Sequence, residues 1–152
     1  MAFSLSSPAF GDGAAVPVEF TCDGAGGSPP LAWTDAPPGT RSFALVVHDP
    51  DAPGGEVTHW LLFNLPGEAA HLPPGVDGEG TPGTNSMDSI GYLPPCPPPG
   101  DPAHRYIFTL YALGTDRLGL DDSARREALE NAFEDHLLAQ TQLVGTYARA
   151  SR

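Results

Sequence analysis

The sequence predicts a mainly β domain with one C-terminal helix and long Pro/Gly-rich loops, on three observations. Apolar runs of strand length lie at Phe43–His48, Val57–Asn64 and Tyr106–Leu113, each next to turn or loop residues. The 18 glycines and 18 prolines punctuate these runs instead of forming one disordered tract. Only one segment, about Ser123 to Ala139, carries a helical pattern.

In chain order, Phe3–Leu5 and Val16–Phe20 are short candidate strands, the second alternating Val16, Val18, Phe20. Residues 22–40 read as loop, with Leu31 and Trp33 as a brief extended anchor. Phe43–His48 is apolar on both faces, the mark of a central strand. Asp49-Pro50-Asp51-Ala52-Pro53-Gly54-Gly55 then turns the chain. Val57–Asn64 follows as its antiparallel neighbour, ended by Pro66-Gly67. Residues 65–104 form an irregular stretch long enough to expect function in it. Tyr106–Leu113 is the third core strand. The helix over Ser123–Ala139 shows an apolar stripe through Leu129, Phe133 and His136 or Leu137, with Asp121 and Asp122 suited to its N-terminus. Leu143–Tyr147 closes the chain as a last strand, and residues 1–152 read as one domain without internal repeats.

Net charge is −12, and all seven basic residues are arginine. Such a surface repels nucleic acid and anionic membranes at long range. The N-terminus has no signal-peptide pattern and no apolar run is long enough to cross a bilayer, so a cytoplasmic protein without membrane insertion is expected. Cys22 and Cys96 lie in no metal-ligand spacing; a disulfide, two thiols and a metal pair are all open, and two mostly reduced cysteines are expected.

The chemistry concentrates at strand ends. From Pro94 to Pro99 only Cys96 is not proline, so Cys96 carries the single main-chain donor of a stiff apolar wall. His104 and Tyr106 follow one residue apart, which puts imidazole and phenol on one face of a strand. Antiparallel pairing across the turn brings Asp49 and His59 to the same sheet end. His59 is then either a core histidine satisfied by a carboxylate or a ligand donor held by Asp49. On strict alternation it shares a face with Val57, Leu61 and Phe63. Arg105 reads as a surface charge or local salt bridge, and His48 as a neighbour of Asp49 or an exposed residue.

Asp49-Pro50-Asp51-Ala52-Pro53, His59, Gly91-Tyr92, Pro95-Cys96-Pro97-Pro98, Gly100 and His104-Arg105-Tyr106 together resemble the phosphatidylethanolamine-binding protein family, more narrowly its bacterial Raf-kinase-inhibitor-like branch. Thr21-Cys22-Asp23-Gly24, Ser28-Pro29-Pro30-Leu31-Ala32-Trp33 and Leu143-Val144-Gly145-Thr146-Tyr147 extend the likeness over nearly the whole chain. The resemblance implies an antiparallel β-sandwich with a small anion pocket at one end. Asp49, His59, His104 and Tyr106 would line it, with Pro98 as a wall and the Cys96 N–H as a donor; Asp51, Pro53 and His48 would stand behind them. It also implies a phosphate or phosphorylated headgroup as ligand, kinases or proteases as regulated partners, and homodimers in many relatives. Leu93-Pro94 replaces a Gly-Gly that the bacterial relatives tend to carry, which reshapes the approach to the pocket.

The resemblance implies binding, not catalysis, and no cofactor or metal. An enzyme would need an activated nucleophile or bound metal, and no nucleophile elbow or HExxH spacing occurs. A hydrolase or metal site built from the Asp/His cluster is one alternative. Another is an interaction module with a vestigial pocket, its acidic surface suited to a basic partner.

Overall fold

The computed structural model describes residues 2–150. Eight strands form two antiparallel sheets: β1 (Ser4–Ser6), β2 (Leu31–Thr34) and β5 (His71–Leu72) in the small one, in the order β1-β2-β5. The large one runs β6-β4-β3-β7-β8, from β3 (Ser42–Asp49), β4 (Val57–Pro66), β6 (Thr81–Pro82), β7 (His104–Leu113) and β8 (Leu137–Tyr147). The central place of β3 follows from its sequence. Phe43, Leu45 and Val47 face the small sheet and pack with Leu5, Trp33, Trp60 and Phe108. Ala44 and Val46 face the other way, towards Leu61, Phe63, Leu129 and Phe133. Every residue of β3 except His48 is buried, so the double-sided apolar run reports burial on both faces.

The helix α1 (Arg126–Phe133) covers the outer face of the large sheet, burying Leu129 and Phe133. It is shorter than the periodicity suggests. Residues 134–136 form one 3₁₀ turn, and Leu137–Tyr147 is an eleven-residue strand paired with β7 along its length. Thr141, Val144, Thr146 and Tyr147 favour that ladder over further helical turns. Asp121 accepts the Ser123 N–H in the preceding turn and is not the helix N-cap, which is Arg125. The expected strand at Val16–Phe20 is also different. Pro17 has no N–H to give a ladder; Ala15 makes a single parallel bridge to Thr146, and Val18–Phe20 is a 3₁₀ turn.

Leu129 lies on the opposite side of the large sheet from the strand ends that carry the chemistry, and it is fully buried. Leu129→Ala is expected to cost about 2–5 kcal/mol, measured by urea unfolding. Ligand affinity of the folded fraction should not change.

Cys22 and Cys96 are joined in a disulfide, which corrects the expectation of two reduced thiols. The pairing depends on the fold, because 74 residues separate the two. With its sulfur in that bond, Cys96 has no thiol to act as a nucleophile.

Candidate functional site

A cleft of about 270 Å³ opens at the end of the large sheet where β3 finishes and β7 begins. Asp49, His59, Cys96, Pro98, His104 and Tyr106 all line it, and so does Pro53. Ala52, Val57, Met87, Leu93, Pro94 and Pro97 complete an otherwise apolar wall.

His59 reaches the cleft by way of a β-bulge. Val47 pairs with Trp60 but His48 pairs with Thr58, so His59 is the extra residue on β4. A bulge breaks the two-residue alternation and re-aims the side chain. His59 therefore does not share the face of Leu61 and Phe63, as strict alternation predicts. It stands edge-on to Tyr106, with ring centres 5.1 Å apart.

Asp49 holds the other histidine. Asp49 Oδ2 accepts the Nδ1–H of His104 at 2.7 Å, and Oδ1 accepts the Asp51 N–H at 2.7 Å. His59 instead donates Nδ1–H to the Leu93 carbonyl at 2.7 Å, because a carbonyl can only accept. Neither reading of His59, satisfied by a carboxylate or held by Asp49, is met, and the two histidines sit in separate arrangements with opposite electrostatics.

His104 is clamped between carboxylates, with Nε2 3.1 Å from Asp101 Oδ2. Carboxylates only accept, so both ring nitrogens donate and the imidazolium form suits the site. Burial alone pulls its pKa down. The hydrogen bonds to Asp49 and Asp101 and their charges outweigh that and raise it above its ordinary value. His59 goes the other way: burial dominates, and its pKa falls despite the Leu93 bond and the Asp49 charge. Burial, reinforced by the charges of Asp49 and Asp51, raises the Tyr106 hydroxyl, which stays protonated. At neutral pH the cleft therefore presents an imidazole with Nδ1–H already used and Nε2 a bare acceptor. The phenol beside it is a donor.

Asp51 acts as a strut behind this group. It takes the Arg105 main-chain N–H at 2.9 Å and two guanidinium hydrogen bonds at 3.0 Å, tying the turn after β3 to the start of β7. Those hydrogen bonds hold its carboxyl down at about 2. His48 does not join the cleft. It alternates to the opposite face of β3, where Arg126, Glu56 and Glu130 surround it and its Nδ1 has no partner. Burial, followed by the Arg126 charge, lowers its pKa.

Asp101 and the Leu93 carbonyl escape sequence reasoning. The only signal for Asp101 is its place three residues before His104; for a carbonyl there is none. Leu93 also donates its N–H to the His59 carbonyl at 2.7 Å, which makes it the structural partner of the bulge. Neither Leu93 nor Pro94 has a positive φ, so these two residues do not need the glycine conformation, and their side chains add apolar surface to the cleft. Among the described residues no His/Cys/Asp/Glu group is arranged to hold a metal ion.

The sequence matches a family model described as phosphatidylethanolamine-binding protein over residues 6–148. A UPF0098 protein of Methanothermobacter thermautotrophicus is 41% identical over 152 residues, covering 96% of this chain and 99% of that one. Among solved structures, a putative phosphatidylethanolamine-binding protein homolog from Chlamydia trachomatis superimposes with a TM-score of 0.92 at 38% identity, covering 97% and 98% of the two chains. Escherichia coli YbcL, a new member of the mammalian phosphatidylethanolamine-binding protein family, gives a TM-score of 0.90 at 28% identity over 97% and 99% of the two chains. The relatives are archaeal as well as bacterial.

Proposed function

This chain belongs to the phosphatidylethanolamine-binding protein family, and on that premise we propose that it is a non-catalytic binding protein whose cleft holds a small oxyanion, a phosphate or a phosphorylated headgroup. The observation that carries the reading is the pairing of an acceptor with donors in an apolar cleft. His59 Nε2 accepts, the Tyr106 hydroxyl donates, and the Cys96 N–H donates to no backbone acceptor among the described residues. A monoprotonated phosphate meets that set, giving its P–OH proton to His59 and its bare oxygens to the two donors. A dianion would find no free cation, and Asp49 stands nearby. Catalysis has little to work with, since the His104 nitrogens are both occupied and Cys96 is bonded.

Affinity should therefore rise as the pH falls. Acidification protonates the phosphate monoester through its second pKa of about 6. It also brings His59 towards its own lowered pKa, and a charged His59 would attract the anion directly. The test is calorimetric titration of inorganic phosphate and O-phosphoethanolamine into wild type and His59→Ala at pH 5.5 and pH 8. Saturable binding that is stronger at pH 5.5 and lost in His59→Ala is expected. Equal affinity at the two pH values, or binding unaffected by His59→Ala, would refute the protonated-ligand reading. The phosphoethanolamine arm separates a headgroup preference from capture of free phosphate.

Modulation of a kinase or protease belongs to the same reading. The acidic chain suits a basic partner, and Met87, 68% exposed at the cleft's rim, offers an apolar contact. Among the described residues no helix is long and apolar enough to cross a membrane. A disulfide persists passively only in an oxidising compartment, so in a reducing one the Cys22–Cys96 bond would be a reversible one.

A further inference from the structure

We propose that the Cys22–Cys96 disulfide is a thiol-exchange site that latches the proline wall of the cleft and is opened by a dithiol reductant. The wall needs a latch because of its composition. Residues 94, 95, 97, 98 and 99 are proline and have no N–H to give. Within the run, the Pro98 carbonyl only closes a local turn with the Asp101 N–H. The main-chain link from the run to a distant segment is the Cys22 N–H to the Pro95 carbonyl, 3.1 Å. The disulfide leaves from that same residue, Cys22. Both attachments thus meet at one point. Breaking the sulfur bond leaves the run itself that single hydrogen bond and the packing of the buried Pro95 and Pro97, between flanking main-chain bonds from Leu93 to the His59 carbonyl and from Gly100 to the Arg149 carbonyl.

The bond is also placed to be attacked. Cys22 and Cys96 are both exposed. Arg149 Nη1 lies 3.6 Å from Cys96 Sγ, and an ion pair to Asp23 at 3.2 Å holds the guanidinium there. A cation beside a sulfur stabilises its thiolate, and the more stable thiolate is the better leaving group. A dithiol therefore attacks Cys22 Sγ, and Cys96 leaves as the thiolate. The dithiol's second sulfur then resolves the mixed disulfide and releases Cys22. Two electrons pass from the dithiol, which ends as a disulfide, to the pair, which ends as two thiols. Since Cys96 lines the cleft, reduction loosens one wall of it. This last step rests on the anion-pocket reading; the mobility of the wall does not.

The experiment compares the oxidised protein with the protein reduced by dithiothreitol under native conditions. Free thiols are counted first, amide exchange is followed by NMR, and inorganic phosphate is then titrated. The Cys22 amide reports the wall directly. Its protection should fall about tenfold on reduction, the factor a single net hydrogen bond supports, while amides of β3 and β7 stay protected. Unchanged protection of Cys22, or a disulfide that dithiothreitol does not open without unfolding the protein, overturns the latch. Arg149→Gln, at a residue that does not itself line the cleft, should slow reduction several-fold; an unchanged rate overturns the assignment of Cys96 as the leaving sulfur. If the oxidised protein binds phosphate, weaker binding by the reduced form supports control of the pocket and equal binding overturns it. If the oxidised protein binds none, the anion reading fails and the exchange measurement alone decides the latch.

Discussion

Asp49→Ala is expected to destabilise the protein by about 3–5 kcal/mol, the range for breaking one side of a buried ion pair. Asp49 is only 3% exposed, and both of its oxygens are occupied. Without it the turn after β3 loses its anchor at the Asp51 N–H. His104 keeps only Asp101. The pH dependence of the loss identifies its cause. The folded-state pKa of His104 lies above the ordinary 6.5. Its stabilising contribution is therefore complete below pH 6.5 and declines as the pH climbs through the raised value. His59 and His48 have folded-state pKa values below 6.5, so through them stability falls as the solution is acidified past that point. The wild-type profile mixes the two trends. The gap between wild type and Asp49→Ala is dominated by His104, and urea unfolding should find it wider at pH 6 than at pH 9. A gap of constant width would mean that Asp49 acts through the Asp51 N–H alone.

Deleting Thr58 should remove ligand binding completely while leaving a folded protein. The deletion takes out one residue of the bulge, so that His59 pairs directly opposite His48 and Trp60 keeps its place opposite Val47. Simple alternation then turns the imidazole to the outer face of the sheet, away from Tyr106. Val57 then keeps its place opposite Asp49, so the turn before β4 keeps its length. Thr58→Ala is the control, because it keeps the bulge and both bonds of the Thr58 main chain, its N–H to the Ser86 hydroxyl and its carbonyl from the Ser86 N–H; it should bind as wild type does. Circular dichroism and cooperative unfolding establish that the deletion variant is folded. Phosphate binding by such a folded protein would show that the bulge does not set the direction of His59.

The same bulge marks the limit of what the sequence discloses. Burial of β3 on both faces, the antiparallel β3–β4 pair and the β7 strand are legible because each rests on a local apolar pattern. So is the gathering of Asp49, His59, Cys96, Pro98, His104 and Tyr106, since each lies at a strand end or in the proline run. Which histidine Asp49 holds is not legible. The answer turns on one unpaired residue in β4, and a bulge belongs to the pairing of two strands. His48 is misplaced by the same reasoning, because nearness to Asp49 in sequence puts it on the opposite face in the sheet. The α1 boundary fails differently: residues 137–140 continue a helical stripe, yet a full-length ladder with β7 is available to them. The disulfide joins loops that only the completed fold brings together.

Binding as proposed turns on a neutral His59 whose Nδ1–H is committed to the Leu93 carbonyl and whose Nε2 accepts the ligand's P–OH. Nitrogen-15 NMR of the histidine side chains during a phosphate titration near pH 7 reads this directly. His59 is expected as the Nδ1–H tautomer in the free protein, with an Nε2 signal that moves saturably towards the protonated position while His104 remains an imidazolium throughout. A His59 found as the Nε2–H tautomer, or an Nε2 signal unmoved by saturating phosphate, would contradict it.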